Sequence, residues 1–249
     1  MNVTLEDIRQ KPMPKHIAVI MDGNGRWAKS RGLVRTAGHR VGVQALKSLI
    51  IALDELGIQY LTVYAFSTEN WRRPADEINA LMELMVEFID KEIDYLHEKG
   101  VRVNPIGDIS RLNEKTYERI VFAREKTKEN QHIILNVALN YGGRQEILRA
   151  TKAICRDVQE QKLCLDDLDE ALFSSYLYTA GQPDPDLLIR PSGEMRVSNF
   201  LLWQIAYSEF WITNVLWPDF GKEHLWQAIW DYQNRDRRYG GLGEKGVDG

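Results

Sequence analysis

Cysteine is scarce in this 249-residue chain, with two in all. Cys155 and Cys164 stand apart, without CxxC or Cys/His spacing, so neither a disulfide framework nor a zinc cluster organises the fold. They read as free thiols. Charge of one sign is also missing. The 32 basic and 36 acidic residues leave a formal net charge of −4, which supplies no general attraction to nucleic acid or to an anionic membrane. Any anion must therefore be held by a local cluster of arginines. No apolar run approaches the roughly 20 residues that a spanning helix needs, which restricts membrane contact to the periphery. The opening MNVTLEDIRQKPMPKH puts acidic and polar residues where a signal peptide would carry its apolar segment, and the expectation is a cytoplasmic protein.

What is present suits one folded unit. Hydrophobic residues make up 44% and charged residues 27%, enough to fill a core and cover a surface. The whole of 1–249 reads as a single domain with its core at about 16–241, since α/β domains often exceed the usual length. HIAVIMD is a short apolar run between turn signals and predicts a buried strand. From Arg40, the residues Val43, Leu46, Leu49, Ile50, Leu53 and Leu56 follow helical spacing, with Gly57 at the C-terminus. QYLTVYAF predicts a second strand, and a long helix runs from Ala75 to Lys99. VRVNPIG, HIILNVAL, DLLIR and FWITNVLW predict further strands, and helices at GGRQEILRATKAICRDV and KEHLWQAIWDYQNRDRR complete the alternation. Such alternation predicts an α/β fold, a mostly parallel central sheet flanked by helices. Asp22, Ser67 and Arg190 then fall at the C-terminal ends of strands, the edge at which open parallel sheets bind ligands.

Three segments carry chemistry. In MDGNGRWAK, Gly23 and Gly25 let backbone N–H groups approach an anion at a helix start, and Arg26 adds a positive fork. The spacing Gly23-x-Gly25-x-x-Ala28 also fits a dinucleotide fingerprint, which makes an NAD-dependent oxidoreductase the rival reading. No acid follows at the distance that would take the ribose hydroxyls, and Asp22 would repel a pyrophosphate unless a metal ion bridged them. In AFSTENWRRP, Ser67, Asn70, Trp71 and Arg73 share a loop that is either a helix cap or a site. In LLIRPSGEMRVSNF, Arg190 and Arg196 flank a glycine-containing loop and suit a diphosphate or carboxylate. Glu209, in an aromatic setting, needs a cation as partner.

Taken in order, HIAVIMDGNGRWAK, GHR-x-G, YAFSTENWRRP, NYGGRQEI, R-x-SGE-x-R-VSNFLLWQ and WPDF resemble the cis-prenyltransferase family, particularly bacterial undecaprenyl diphosphate synthases, over nearly the whole chain. The resemblance implies Mg²⁺ held by Asp22 and Glu209. It places Gly23, Asn24, Gly25, Arg26, Arg35 and His39 on an allylic diphosphate such as farnesyl diphosphate, with Trp27 beside it. Arg190, Arg196, Val197 and Ser198 fall to isopentenyl diphosphate. Ser67, Thr68, Glu69, Asn70, Trp71 and Arg73 surround the reacting centre, with Asp22 and Asn70 as catalytic groups. Pro191 stands where the family often has Thr, and it removes a hydroxyl and a backbone donor. The resemblance further implies a homodimer, peripheral membrane contact for product release, and Arg-x-Gly motifs near Arg238 that reach across the subunit interface. A trans-prenyltransferase would need DDxxD aspartates on an all-helical scaffold, and the nearest string is DDLDE at Asp166–Glu170. A catalytically inactive partner subunit would not be expected to retain Asp22, Asn70, Arg190 and Arg196 together.

Overall fold

Six strands and eight α-helices form from these patterns among the described residues, 3–235 of the computed structural model. The strands are β1 (His16–Ile20), β2 (Tyr60–Ser67), β3 (Val101–Ile106), β4 (Ile133–Tyr141), β5 (Leu187–Arg190) and β6 (Glu209–Ile212). The helices are α1 (Leu5–Arg9), α2 (Asn24–Ser30), α3 (Arg35–Leu56), α4 (Ala75–Glu98), α5 (Glu114–Thr127), α6 (Gly143–Gln159), α7 (Glu170–Ser175) and α8 (Lys222–Gln233). The sheet order is β3-β4-β2-β1-β5-β6, and every neighbouring pair is parallel. A fully parallel sheet results because a crossover segment separates each strand from the next and leaves no hairpin.

Among the boundaries that differ from the sequence pattern, two bear on the site. α3 begins at Arg35 instead of Arg40, because its first turns face α2 and carry Gly38 and Gly42 where a core-facing helix would carry apolar residues. β6 stops at Ile212, since the next carbonyls leave the ladder: Gly193 N donates to Thr213 O at 2.8 Å and Ser192 N to Val215 O at 2.7 Å.

Alternation along the strands separates two faces. Ile17, Val19, Leu61, Val63, Leu135, Leu187 and Ile189 meet α3 and α8 in the larger core. Ala18, Ile20, Ala138, Ile106 and Leu188 meet Phe200, Leu201 and Ile205 in the smaller one. This second face also carries a buried polar row across four strands. Asn104 Nδ2 donates to Asn136 Oδ1 at 2.6 Å, Asn136 Nδ2 to Thr62 Oγ1 at 2.9 Å, and Thr62 Oγ1 lies 2.7 Å from His16 Nε2. His16 Nδ1 reaches Pro183 O at 2.7 Å. The carbonyl must accept, so the neutral ring donates from Nδ1 and accepts at Nε2.

Burial pulls the His16 pKa from 6.5 to about 4. A folded pKa below the unfolded one favours the neutral ring, so its stabilisation is complete above about pH 6.5 and is lost as pH falls toward 4. Between pH 7 and pH 5, urea denaturation should show His16→Gln losing about 2 kcal/mol less stability than the wild type. Parallel curves for the two proteins would remove His16 from the acid response.

Candidate active site

The order of the strands reverses at β1, whose neighbours are β2 on one side and β5 on the other. Crossovers leave this point in opposite directions, so a crevice opens beyond the C-terminal ends of these strands. A cavity of about 910 Å³ begins there. Asp22, Gly23, Asn24, Gly25, Arg26, Arg35, His39, Ser67, Glu69, Asn70, Arg73, Arg190, Arg196 and Ser198 line its polar end.

The loop after β1 is placed by its backbone. Gly23 has φ 103°, a conformation that side chains rarely adopt, and a Cβ there would meet Leu216 at 3.0 Å. No side chain caps α2. α2 crosses α3 at Gly38 and Gly42, where an added Cβ would lie 2.0 Å from Asn24 O and 2.2 Å from Asn24 Oδ1. Trp217, fully buried, ties the assembly: its N–H donates to Asp22 O at 3.0 Å and its indole to Gly42 O at 2.8 Å. These contacts explain why glycines recur in GHR-x-G and why WPDF follows so late in the chain.

Carboxylates pair with every arginine on the cavity wall. Asp22 Oδ2 accepts from Arg190 Nη2 at 2.8 Å, and Arg190, only 5% exposed, also donates to Ser198 Oγ at 2.9 Å. Burial would raise the Asp22 pKa, but the bond and charge of Arg190, with Gly23 N–H and Arg26, outweigh it and hold the carboxyl below its usual range. Glu77 Oε1 joins Arg35 at 3.1 Å to Arg73 at 2.9 Å. Glu194 joins Arg26, at 3.2 Å, to Arg196. Beside Arg35 and Arg73, His39 is driven to a pKa of about 4, chiefly by burial and then by Arg73. Its Nε2 is buried without a partner.

The turn after β2 is both cap and site. Asn70 Oδ1 accepts from Ser67 N–H at 3.0 Å and closes the 3-10 turn Thr68–Arg72. That bond takes one of the two lone pairs of the amide oxygen, and the NH₂ group is the donor that Asn70 can offer the cavity it lines. Asn199 Nδ2 donates to Glu69 Oε1 at 3.0 Å, while Asn199 O and Oδ1 accept from Gly143 and Arg144 N–H. Ser198, Asn199 and Leu201 all have positive φ, at 48°, 63° and 46°, a cluster of backbone strain beside the arginines.

Away from the charges the cavity is apolar. Leu81, Leu84, Met85, Phe88, Ile89, Ile93 and Leu96 of α4 face Val103, Leu135, Val137 and Leu139 across it. The fifteen steps from Leu81 to Leu96 give this wall a length of roughly 22 Å. The adjoining stripe of α4 packs Met82 against Phe66, Leu112 and Ile120, so the helix is a core element on one side and a tunnel wall on the other. Ala65 sits at a register shift between Tyr64 and Phe66. Ala65 keeps to the cavity side of Leu61 and Val63, and past the shift Phe66 joins it against Met82.

Five of the expected residues lie off this wall. The Trp27 indole donates to Asp219 Oδ1 at 2.7 Å, under Arg31. The Trp71 indole donates to Asn140 Oδ1 at 2.8 Å. Thr68 Oγ1 is buried without a partner, and Val197 packs on the smaller core. Glu209 begins β6 opposite Leu187, three residues or about 10 Å back along the sheet from the level of Arg190. Its cation is Arg235, at 2.7 Å. Within one chain, therefore, Glu209 and Asp22 do not converge. Among the described residues, no group of three or more His, Cys, Asp or Glu side chains is arranged to hold a metal ion. The donor set fits a magnesium ion that takes one carboxylate, Asp22, and completes its shell with substrate oxygens and water. It does not fit a two-carboxylate site within the chain. The stretch around Arg238 lies outside the described residues.

Glu77, Glu194, Asn199 and Trp217 went unnoticed as site residues. Glu77, in the first turn of α4, follows Arg73 by four, a spacing that signals an ion pair. The other three act through contacts distant in the chain.

Comparison with known proteins agrees across the chain. A family profile described as "Putative undecaprenyl diphosphate synthase" matches residues 20–240. An isoprenyl transferase of Clostridium perfringens is 62% identical over 92% of this chain and 91% of its own length, and one of Heliobacterium mobile is 58% identical over 95% and 91%. Lavandulyl diphosphate synthase from Lavandula x intermedia, solved with dimethylallyl diphosphate, superposes with a TM-score of 0.89 at 38% identity, covering 92% of this chain and all but 1% of its own (99%). A probable undecaprenyl diphosphate synthase from Campylobacter jejuni gives 0.76 at 36%, covering 92% and 100%.

Asp22→Ala should cost about 2–3 kcal/mol in addition to any effect on activity, because it strands a buried guanidinium. Asp22→Ala/Arg190→Met should recover most of that loss. Strictly additive single and double variants in thermal melts would mean that the pair contributes no coupling.

Proposed function

Because this chain belongs to the undecaprenyl diphosphate synthase family of prenyl-transferring enzymes, we propose that it condenses isopentenyl diphosphate with an allylic diphosphate to build a long Z-polyprenyl diphosphate. The carrying observation is the cavity itself, a cluster of arginines opening onto a long apolar tunnel. That pairing of chemistries suits a ligand with a diphosphate head and a hydrocarbon tail. The dimethylallyl diphosphate in the Lavandula neighbour supports an allylic primer. Farnesyl diphosphate as primer, undecaprenyl diphosphate as product, a cytoplasmic homodimer and peripheral membrane contact at product release complete the proposal. No helix among the described residues is long and apolar enough to cross a membrane, which is compatible with that placement.

In this reading Arg26, Arg35 and His39 hold the allylic diphosphate, and Arg190, Arg196 and Ser198 hold isopentenyl diphosphate. Fixing both heads brings the alkene against the allylic carbon, a proximity contribution that can reach roughly 7–11 kcal/mol. The allylic C–O bond breaks with its electron pair leaving on diphosphate. The isopentenyl alkene supplies the pair for the new C–C bond, and the resulting cation loses a proton to a diphosphate oxygen. Magnesium bound at Asp22 would supply charge neutralisation for the departing diphosphate. Arg26 and Arg35 stabilise the same growing charge from fixed positions. Asn70, with its oxygen already bonded, orients substrate or water through its NH₂ and is not the base. The tunnel excludes water from the cation and receives the lengthening chain.

Purified protein given farnesyl diphosphate, labelled isopentenyl diphosphate and Mg²⁺ should make a polyprenyl product, and excess EDTA should silence it. Arg190→Ala and Arg196→Ala should raise the KM for isopentenyl diphosphate more than that for the primer, whereas the reverse order would exchange the two subsites. Activity that survives complete chelation would remove the metal.

Ala65→Leu should shift products toward shorter chains while the first condensation continues, because Ala65 lines the cavity in the apolar group that includes Leu81, Met85 and Ile89 of α4. Overpacking alone would cost about 1–3 kcal/mol without changing chain length. Product chromatography and thermal melting on the same sample separate the two.

A further inference from the structure

Glu194, like Glu77, joins two arginines that line the cavity without lining it itself. The two arginines that Glu194 joins come from different elements. Arg26 arrives on α2 and Arg196 on the loop after β5, and the proposed function gives them different diphosphates. The base of the Glu194 loop is fixed: Ser192 and Gly193 have φ of 78° and 74°, and their N–H groups bond Val215 O and Thr213 O. Ser192 O and Oγ also accept from Arg26, at 3.0 and 2.5 Å. The arginine heads remain 49% and 60% exposed, so solvent and ligand can reach them while the carboxylate is in place.

A guanidinium has a fixed set of donors, and a carboxylate presents to it nearly the oxygen geometry that a phosphate does. Resting on the reading of Arg26 and Arg196 as diphosphate ligands, we propose that Glu194 is an internal counter-ion, a positioning residue that holds both arginines in the empty site and competes with diphosphate for them. Two consequences follow from that competition. The arginines are already oriented when substrate arrives, and inorganic diphosphate is displaced faster once the C–O bond has broken. Glu194 touches no reacting atom.

The test compares wild type, Glu194→Gln and Glu194→Asp by calorimetric titration with inorganic diphosphate in Mg²⁺, alongside steady-state kinetics. Glu194→Gln should bind diphosphate roughly three- to tenfold more tightly, the loss of one or two half-exposed ion pairs. Its KM for isopentenyl diphosphate and its kcat should fall together as release slows. Glu194→Asp, too short to span both arginines, should lie between. Unchanged or weaker diphosphate binding with a raised KM would overturn the proposal, since a purely structural or directly ligating Glu194 predicts that sign. Should Glu194→Gln fail to fold, the Asp variant carries the same comparison. Arg196→Ala separates this inference from the reading beneath it. If wild type binds diphosphate and Arg196→Ala does not, the subsite stands and only Glu194 is in question, whereas binding insensitive to Arg196 overturns both.

Discussion

The Asp22–Arg190 ion pair sits where β1 and β5 end side by side, and much of the structure is arranged around keeping it there. Arg190 is nearly buried, and a buried guanidinium without a carboxylate is expensive. Its partner stands on a glycine loop that only a left-handed backbone can form, held from behind by Leu216 and Trp217. Trp217 in turn bonds α3 at Gly42, and α3 accepts α2 through its two glycines. One electrostatic requirement thus reaches the sheet, two helices and the late WPDF segment. The same pair leaves Asp22 ionised, with its first oxygen on Gly23 N–H and accessible from the cavity.

The two faces of the sheet divide the remaining work. One face is apolar along its length, and between it and α4 there is more space than side chains to fill it. Close packing would normally eliminate such a void. The opposite face carries the polar row from Asn104 to His16, in which donors and acceptors match across four strands. A satisfied buried network stiffens the strands it joins. The rigidity of that face compensates for a cavity on the other.

Charge in the empty site is balanced locally, arginine by arginine, although the chain as a whole has a slight acidic excess. Five arginines brought together without carboxylates would repel one another and resist folding. Pairing each with Asp22, Glu77 or Glu194 lets the chain build a strongly anion-selective site before any anion arrives. A diphosphate then exchanges one set of oxygens for another, at a smaller reorganisation cost than ordering free side chains.

Local pattern determined the strands, the long helices and the three polar segments at strand ends, because burial imposes a period of two or 3.6 on any stretch that packs on one side. It also determined the family, since the glycines, arginines and aromatics of several motifs occur in one order along the chain. Tertiary structure decided which of those residues meet. Trp27 and Trp71 turn from the cavity because hydrogen-bond acceptors on other elements, Asp219 and Asn140, claim their indoles. Glu209 lies one strand-length away from Asp22 because parallel register, which no local pattern encodes, sets it opposite Leu187. Trp217 gains its role from Asp22 and Gly42, and Glu194 becomes a bridge only through Arg26, all more than a hundred residues distant. Phe66 joins Met82 on the α4 side only because a register shift after Tyr64 interrupts the alternation that Leu61 and Val63 obey.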